Sequence, residues 1–267
     1  MTRPHVAAFA YHDVTDTLGD SGFQRPAAWG FKLSRAAFDD HLTRLAAGPV
    51  VPGLVTRIPW ERPGRHILLT FDDGGKSALD VAAALERRGW RGHFFIVTGR
   101  IGAAGFLDAT GIRALHAAGH VVGSHSHSHP NIVREVPVER MVAEWRDSCA
   151  RLADLLGAPC QVASVPGGDA APPVYGAAAA AGVRVLFTSE PVLEPRLEAG
   201  CRVLGRFVPK SHTSAARIAA LARFHGWDRA RLVFRLKDAL HRAWPALYRM
   251  YVGRRTRETL PIGERAP

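Results

Sequence analysis

Thr70-Phe71-Asp72-Asp73-Gly74 closes an apolar run and sets two carboxylates side by side just before a glycine. Further along, His125-Ser126-His127-Ser128-His129-Pro130 follows another short apolar run, Val121-Val122-Gly123. Imidazole nitrogen and carboxylate oxygen together suit a zinc-type hydrolytic centre, and a spare carboxylate can take the proton of the attacking water. Neighbouring carboxylates repel unless a cation or a shared proton relieves them, so a metal on one would leave the other free as a base. The spacing leaves two geometries for the histidines. On an extended strand His125, His127 and His129 share a face; on a helical turn only His125 and His129 meet. Gly123 before and Pro130 after argue that the strand ends here, which favours the His125–His129 pair with His127 turned away.

Those residues need elements to hold them. Short apolar runs predict strands at His5–Tyr11, His66–Phe71, His93–Val97, His120–Gly123, Gln161–Val165, Val183–Phe187 and Val203–Val208. Between them lie helical patterns. Ser34 can cap a helix carrying Phe38, Leu42 and Leu45, with Asp39-Asp40 on its solvent side. Ser77–Arg88 and Thr110–Ala118 are two more, and the most regular runs from Pro137 to Gly157 with Cys149 on its apolar face. Strand–helix repetition predicts an α/β fold, a parallel sheet of about seven strands curled into a barrel or near-barrel, as a single domain. In such folds sites assemble at the carboxyl ends of the strands, where both motifs stand.

With these motifs in hand, the sequence resembles the polysaccharide deacetylases, the nodulation-type chitooligosaccharide deacetylase homology group of family-four carbohydrate esterases. Thr70–Gly74 matches the first family motif and His125–Pro130 the second. Gly92–Gly99 and Leu115–Gly123 resemble the flanking segments, and the Tyr11-His12 opening recurs in relatives. The resemblance covers roughly Val6 to Phe207. It implies an irregular (β/α) barrel, with Asp72 as catalytic base and Asp73, His125 and His129 as ligands of one divalent metal ion, zinc by default. It further implies an N-acetylated carbohydrate as substrate.

Departures from the family pattern are equally specific. Where the third motif carries an arginine that orients the base, this chain has Ser164 in Ser164-Val165-Pro166-Gly167-Gly168. Gly167 keeps the backbone N–H expected to face the oxyanion, beside Pro166 at the substrate. The Asp-Trp fourth motif has no counterpart. In place of the fifth, Leu-x-His, stands Leu204-Gly205-Arg206, so His212 is the expected substitute for the general acid. His12, ending the first strand, and Glu190, following another, are expected to line the substrate mouth. The missing residues motivate one rival, a non-catalytic sugar-binding descendant; Asp72 argues against it, since a sugar binder needs no base. A second rival is an amide hydrolase acting on a non-sugar substrate.

Charge is segregated. Of 35 basic and 24 acidic residues, 15 basic and 4 acidic lie from Cys201 onward, so the whole net charge of +11 belongs to the C-terminal quarter. The chain divides into a barrel over 1–228 and a basic helical extension over 229–267, with Leu232, Leu236, Leu240 and Leu247 at near-helical steps and an interruption at Pro245. Packing of that apolar face on the barrel, with the basic face solvated, is the expectation. The alternative is peripheral contact with an anionic membrane. No groove-reading motif supports specific nucleic-acid binding. Three cysteines without C-x-x-C spacing read as buried thiols. With no secretory signal pattern and no apolar run long enough to span a bilayer, the expected place is the cytoplasm, including the inner membrane face. Together with the family resemblance, that location implies a role in envelope or exopolysaccharide biosynthesis.

Overall fold

The computed structural model describes residues 4–168 and 170–256. Its elements run β1 (His5–Tyr11), α1 (Pro26–Trp29), α2 (Arg35–Ala46), β2 (Pro52–Gly53), β3 (Arg65–Phe71), α3 (Ala78–Glu86), β4 (His93–Ile96), α4 (Ala109–Ala117) and β5 (Val121–Ser124). They continue with α5 (Val138–Leu156), β6 (Val162–Ser164), α6 (Pro172–Ala180), β7 (Val185–Phe187), β8 (Arg196–Glu198), β9 (Cys201–Leu204), α7 (Ala215–Ala222), α8 (Trp227–Ala243) and α9 (Pro245–Arg255). The sheet order is β1-β3-β4-β5-β6-β7-β9-β8, with β2 also on β3. Every pairing is parallel except β8 on β9. The sheet curls until the segment after β9 reaches β1, where Phe207 and Phe9 form an isolated parallel bridge. This is a barrel-like α/β fold. All seven expected strands are present; β2 and β8 are additions, too short and too polar to carry a periodic signal.

Alternation along the strands sorts side chains into two layers. Ala7, Phe9 and Tyr11 of β1 and Ile67, Leu69 and Phe71 of β3 pack outward under the helices. Val6, Ala8, Leu68, Phe95, Val162, Phe187 and Leu204 fill the interior. Continuing the interior phase past the strand ends brings Asp72, Ser164 and Arg206 inward at the same end of the barrel.

The local helix signals act as expected. Ser34 accepts from the Ala37 N–H at 3.2 Å, and α5 ends with Gly157 at φ 65°. Cys149 is buried on α5, and Cys149, Cys160 and Cys201 are all buried free thiols. The C-terminal expectation needs correction. Helix α8 begins at Trp227, which is buried, yet Leu232, Leu236 and Leu240 face solvent, and Ala230, Phe234 and Asp238 are the half-buried positions of the helix. Arg257 lies outside the described residues.

Candidate active site

The loop after β1 is pinned to the loop after β3 by a buried aspartate. Asp13 Oδ1 accepts from the Ser21 hydroxyl at 2.5 Å and the Ser77 hydroxyl at 3.0 Å. A Cβ at Gly22 or at Gly75 would fall 1.9 or 2.0 Å from the Asp13 carboxylate, so only glycine permits the approach. Tyr11 lies in register with Phe71, so His12 follows β1 where Asp72 follows β3. His12 stacks near Phe31 at 5.0 Å between centroids, and its Nδ1 is buried without a hydrogen-bond partner. Its charge, when protonated, is felt by both Asp72 and Asp73.

Asp73, His125 and His129 converge. The Nε2 atoms of the two histidines lie 3.4 and 3.5 Å from Asp73 Oδ1, a buried oxygen with no hydrogen-bond partner. An orphaned carboxylate oxygen facing two imidazole nitrogens fits a divalent cation, and these three side chains would hold it. Asp73, Ser126 and His129 all adopt left-handed backbone, at φ 76°, 63° and 57°. Three non-glycine residues in that region concentrate strain at this turn. Burial pushes the His129 imidazole down to about 3, and burial opposed by Asp72 and Asp73 leaves His125 above its ordinary value.

The tautomer of His125 is set by its neighbour. Its Nδ1 lies 3.0 Å from the Ser164 carbonyl, which can only accept, so Nδ1 carries the proton and Nε2 presents a lone pair. His129 differs: Arg25, which can only donate, faces its Nδ1 at 3.2 Å. Ligation through His129 Nε2 requires a proton on that Nδ1, so a bound cation would have to displace the Arg25 contact. His127 turns away, with Nδ1 3.1 Å from the Thr98 hydroxyl. Glu144 of α5 holds the turn by accepting from the His127 and Ser128 N–H groups at 3.0 and 2.7 Å.

Asp72 is gripped by a residue that sequence reading passed over. Arg206 donates Nη1 to Asp72 Oδ1 at 2.7 Å and Nη2 to Oδ2 at 2.8 Å. Its Nη1 also reaches Thr70 Oγ1 and its Nε the Thr188 carbonyl, both at 3.0 Å, and none of its side chain is exposed. The Ser164 hydroxyl adds a third bond, to Oδ1 at 3.1 Å. Burial alone would raise the Asp72 carboxyl, but the guanidinium and the nearby imidazoles outweigh it and hold it below the ordinary carboxylate value. Oδ2 is the oxygen turned toward the histidines, 4.0 Å from His125 Nε2. The signal in the sequence was the arginine standing where the fifth motif expects histidine.

The other expected residues fall variously. Gly167 is exposed after β6 at φ 61°, whereas Pro166 is buried beneath it. Glu190 is engaged by Arg196 at 2.8 Å and Arg231 at 3.3 Å. His212 is exposed on the loop after β9, and among the described contacts none joins it to Asp72 or Asp73.

Comparison with known proteins agrees with this geometry. Residues 61–186 match the polysaccharide deacetylase family model. IcaB from Ammonifex degensii superposes with a TM-score of 0.68 at 21% identity, over 82% of this chain and 97% of that one. A polysaccharide deacetylase from Bacillus cereus gives 0.67 at 17%, over 82% and 69%. A de-N-acetylase from Aggregatibacter actinomycetemcomitans gives 0.64 at 16%, over 81% and 99%. No curated protein sequence matches. At these identities the superpositions speak for the fold, and the family model speaks for the segment holding Asp72, Asp73, His125, His129 and Ser164. Over residues 61–186, the segment that holds the site, this chain is similar to the polysaccharide deacetylases.

Proposed function

We propose that this protein is a metal-dependent hydrolase that removes N-acetyl groups from a carbohydrate. One observation carries the reading: the orphaned Asp73 Oδ1 between two imidazoles, beside a second buried aspartate locked by Arg206. A divalent cation held by Asp73, His125 and His129, with zinc first in order, supplies a Lewis acid for the amide carbonyl and acidifies water. Asp72 Oδ2 accepts the proton of the attacking water. Arg206 keeps that carboxylate ionised and fixes its direction, the work the family's third-motif arginine implies. Gly167 is exposed just after β6, and its N–H is the donor this reading assigns to the developing oxyanion. For the general acid we favour His12 over His212, because His12 follows β1 where Asp72 follows the paired strand β3, whereas His212 stands exposed on the loop after β9. The orphaned Nδ1 of His12 gives it a nitrogen for the departing amine.

A carbohydrate intermediate of envelope or exopolysaccharide assembly on the cytoplasmic side is the substrate this reading prefers. Three buried free thiols suit a reducing compartment. The decisive experiment measures acetate and free amine released from N-acetylglucosamine oligomers by zinc-loaded protein. Wild type should turn over, and Asp72→Asn should keep the metal while losing ~10²–10⁴-fold in rate. Metal binding without turnover on any N-acetylated sugar would overturn the reading in favour of a sugar-binding role or a different amide substrate.

A further inference from the structure

We infer that α8 and α9 form an interfacial surface that docks on an anionic lipid bilayer. On α8, Leu232, Leu236 and Leu240 fall at four-residue steps on one stripe, and they are 59, 58 and 53% exposed. Beyond the helix break, Trp244 and, on α9, Leu247 and Tyr251 are exposed as well, at 57, 57 and 54%. Trp227 at the start of α8 is buried in the barrel core, Phe234 on α8 and Val252 on α9 are half-buried, and Tyr248 of α9 stacks on His241 of α8 at 4.1 Å between centroids. Such an arrangement inverts the usual amphipathic helix, whose apolar stripe faces the core. Six large apolar side chains exposed along two consecutive helices call for a partner.

Charge chooses that partner. Between Trp227 and Arg255 the chain has eight Lys and Arg against Asp228 and Asp238, and Asp238 is already paired with Arg134 and Arg242. Arginines flanking an apolar row rich in leucine, with tryptophan and tyrosine at one end, match a headgroup–acyl boundary carrying negative charge. A second copy of this chain would bring the same positive charge against itself, which counts against self-association.

The helices are also anchored beside the site. Arg134 pairs with Asp238 and Glu135 with Arg249, both on the loop that follows the histidine motif. Glu190 after β7 pairs with Arg231, and Arg255 donates to the Pro26 carbonyl on the loop after β1. All four anchors lie at the carboxyl ends of the strands, the end that carries Asp72. Docking would therefore hold the mouth next to the bilayer, where the sugar of a lipid-linked glycan stands. That last step rests on the deacetylase reading; the docking does not, and vesicle binding tests it without reference to turnover.

The test is co-sedimentation of the full chain with phosphatidylcholine vesicles and with vesicles containing 30% phosphatidylglycerol (roughly the anionic fraction at which basic segments bind), at low and high salt. The expected result is pelleting with the anionic vesicles at low salt, weakened at high salt. Leu236→Asp with Leu240→Asp should reduce partitioning more than tenfold, and Arg235→Gln and Arg254→Gln about fivefold each. Absence of pelleting, or equal pelleting with neutral vesicles, overturns the proposal. So does a dimer in sedimentation equilibrium that the leucine variant dissolves, which assigns the stripe to a second copy. If the leucine variant unfolds, the stripe is packed rather than exposed, and that too overturns the proposal.

Discussion

Arg206 and Asp72 stand 134 positions apart in the chain and share two parallel hydrogen bonds, of 2.7 and 2.8 Å, inside the mouth of the barrel. Planar guanidinium and planar carboxylate fix each other's orientation as well as their charges. Ser164, at the position where the family pattern has its arginine, bonds the same carboxylate from the neighbouring side. The base is thus oriented from β9 and β6 together.

Arg206→Lys keeps the charge but loses the fork. We expect kcat to fall about 10²-fold with KM and metal content unchanged, the signature of a misplaced base rather than a lost binding contact. Arg206→Ala leaves a buried carboxylate unpaired and should destabilise the fold by about 3–5 kcal/mol in thermal or denaturant unfolding. Wild-type kcat in the lysine variant would remove Arg206 from the mechanism.

Asp73, His125 and His129 should each be needed for metal. Saturating zinc, at about 100 times Kd, should stabilise wild type by ~2.7 kcal/mol, and Asp73→Ala should abolish the shift. Arg25→Ala removes a donor and a positive charge from the His129 ring, so zinc should bind it more tightly, by about 1 kcal/mol or roughly fivefold in calorimetry. An unchanged melting temperature on zinc addition to wild type would sink the site.

The two histidine candidates for the acid separate cleanly. His12→Ala should cost ~10²–10⁴-fold in kcat, whereas His212→Ala should leave turnover near wild type. The reverse pattern would return the role to His212.

Acid lability should come in large part from His93, together with His129. The His93 Nδ1 donates to the Leu69 carbonyl and its Nε2 accepts from the Val55 N–H, both at 2.9 Å, so protonation sets two N–H groups against each other. Burial holds the folded His93 imidazole at about 4, below the unfolded value near 6.5. The unfolded chain then binds the extra proton first, and stability falls as pH drops from about 6.5 towards 4, by up to ~3 kcal/mol. His129, pushed down to about 3, and His41, His66 and His120, also depressed by burial, add to the same slope, and His125, raised, opposes it. Melting temperatures between pH 4 and 7 should show this fall, shallower in His93→Gln. A flat profile would contradict the assignment.

What the sequence by itself determined is whatever neighbouring residues decide. Alternation placed seven strands, Ser34 and Gly157 bounded their helices, and Asp72-Asp73 and the His125–His129 step were legible because each is built within one turn of chain. The split between ligand and base was available only through family resemblance. Tertiary structure alone decided that Arg206 reaches Asp72, that Arg25 meets His129 and that Glu144 holds the histidine turn. These pairs join distant strands and loops, and no local period encodes which residues a curled sheet brings together. The outward leucine stripe of α8 was hidden for a related reason. A helical period reveals that an apolar face exists, but the side turned to the barrel is chosen by Trp227 and the ion pairs that seat the helix.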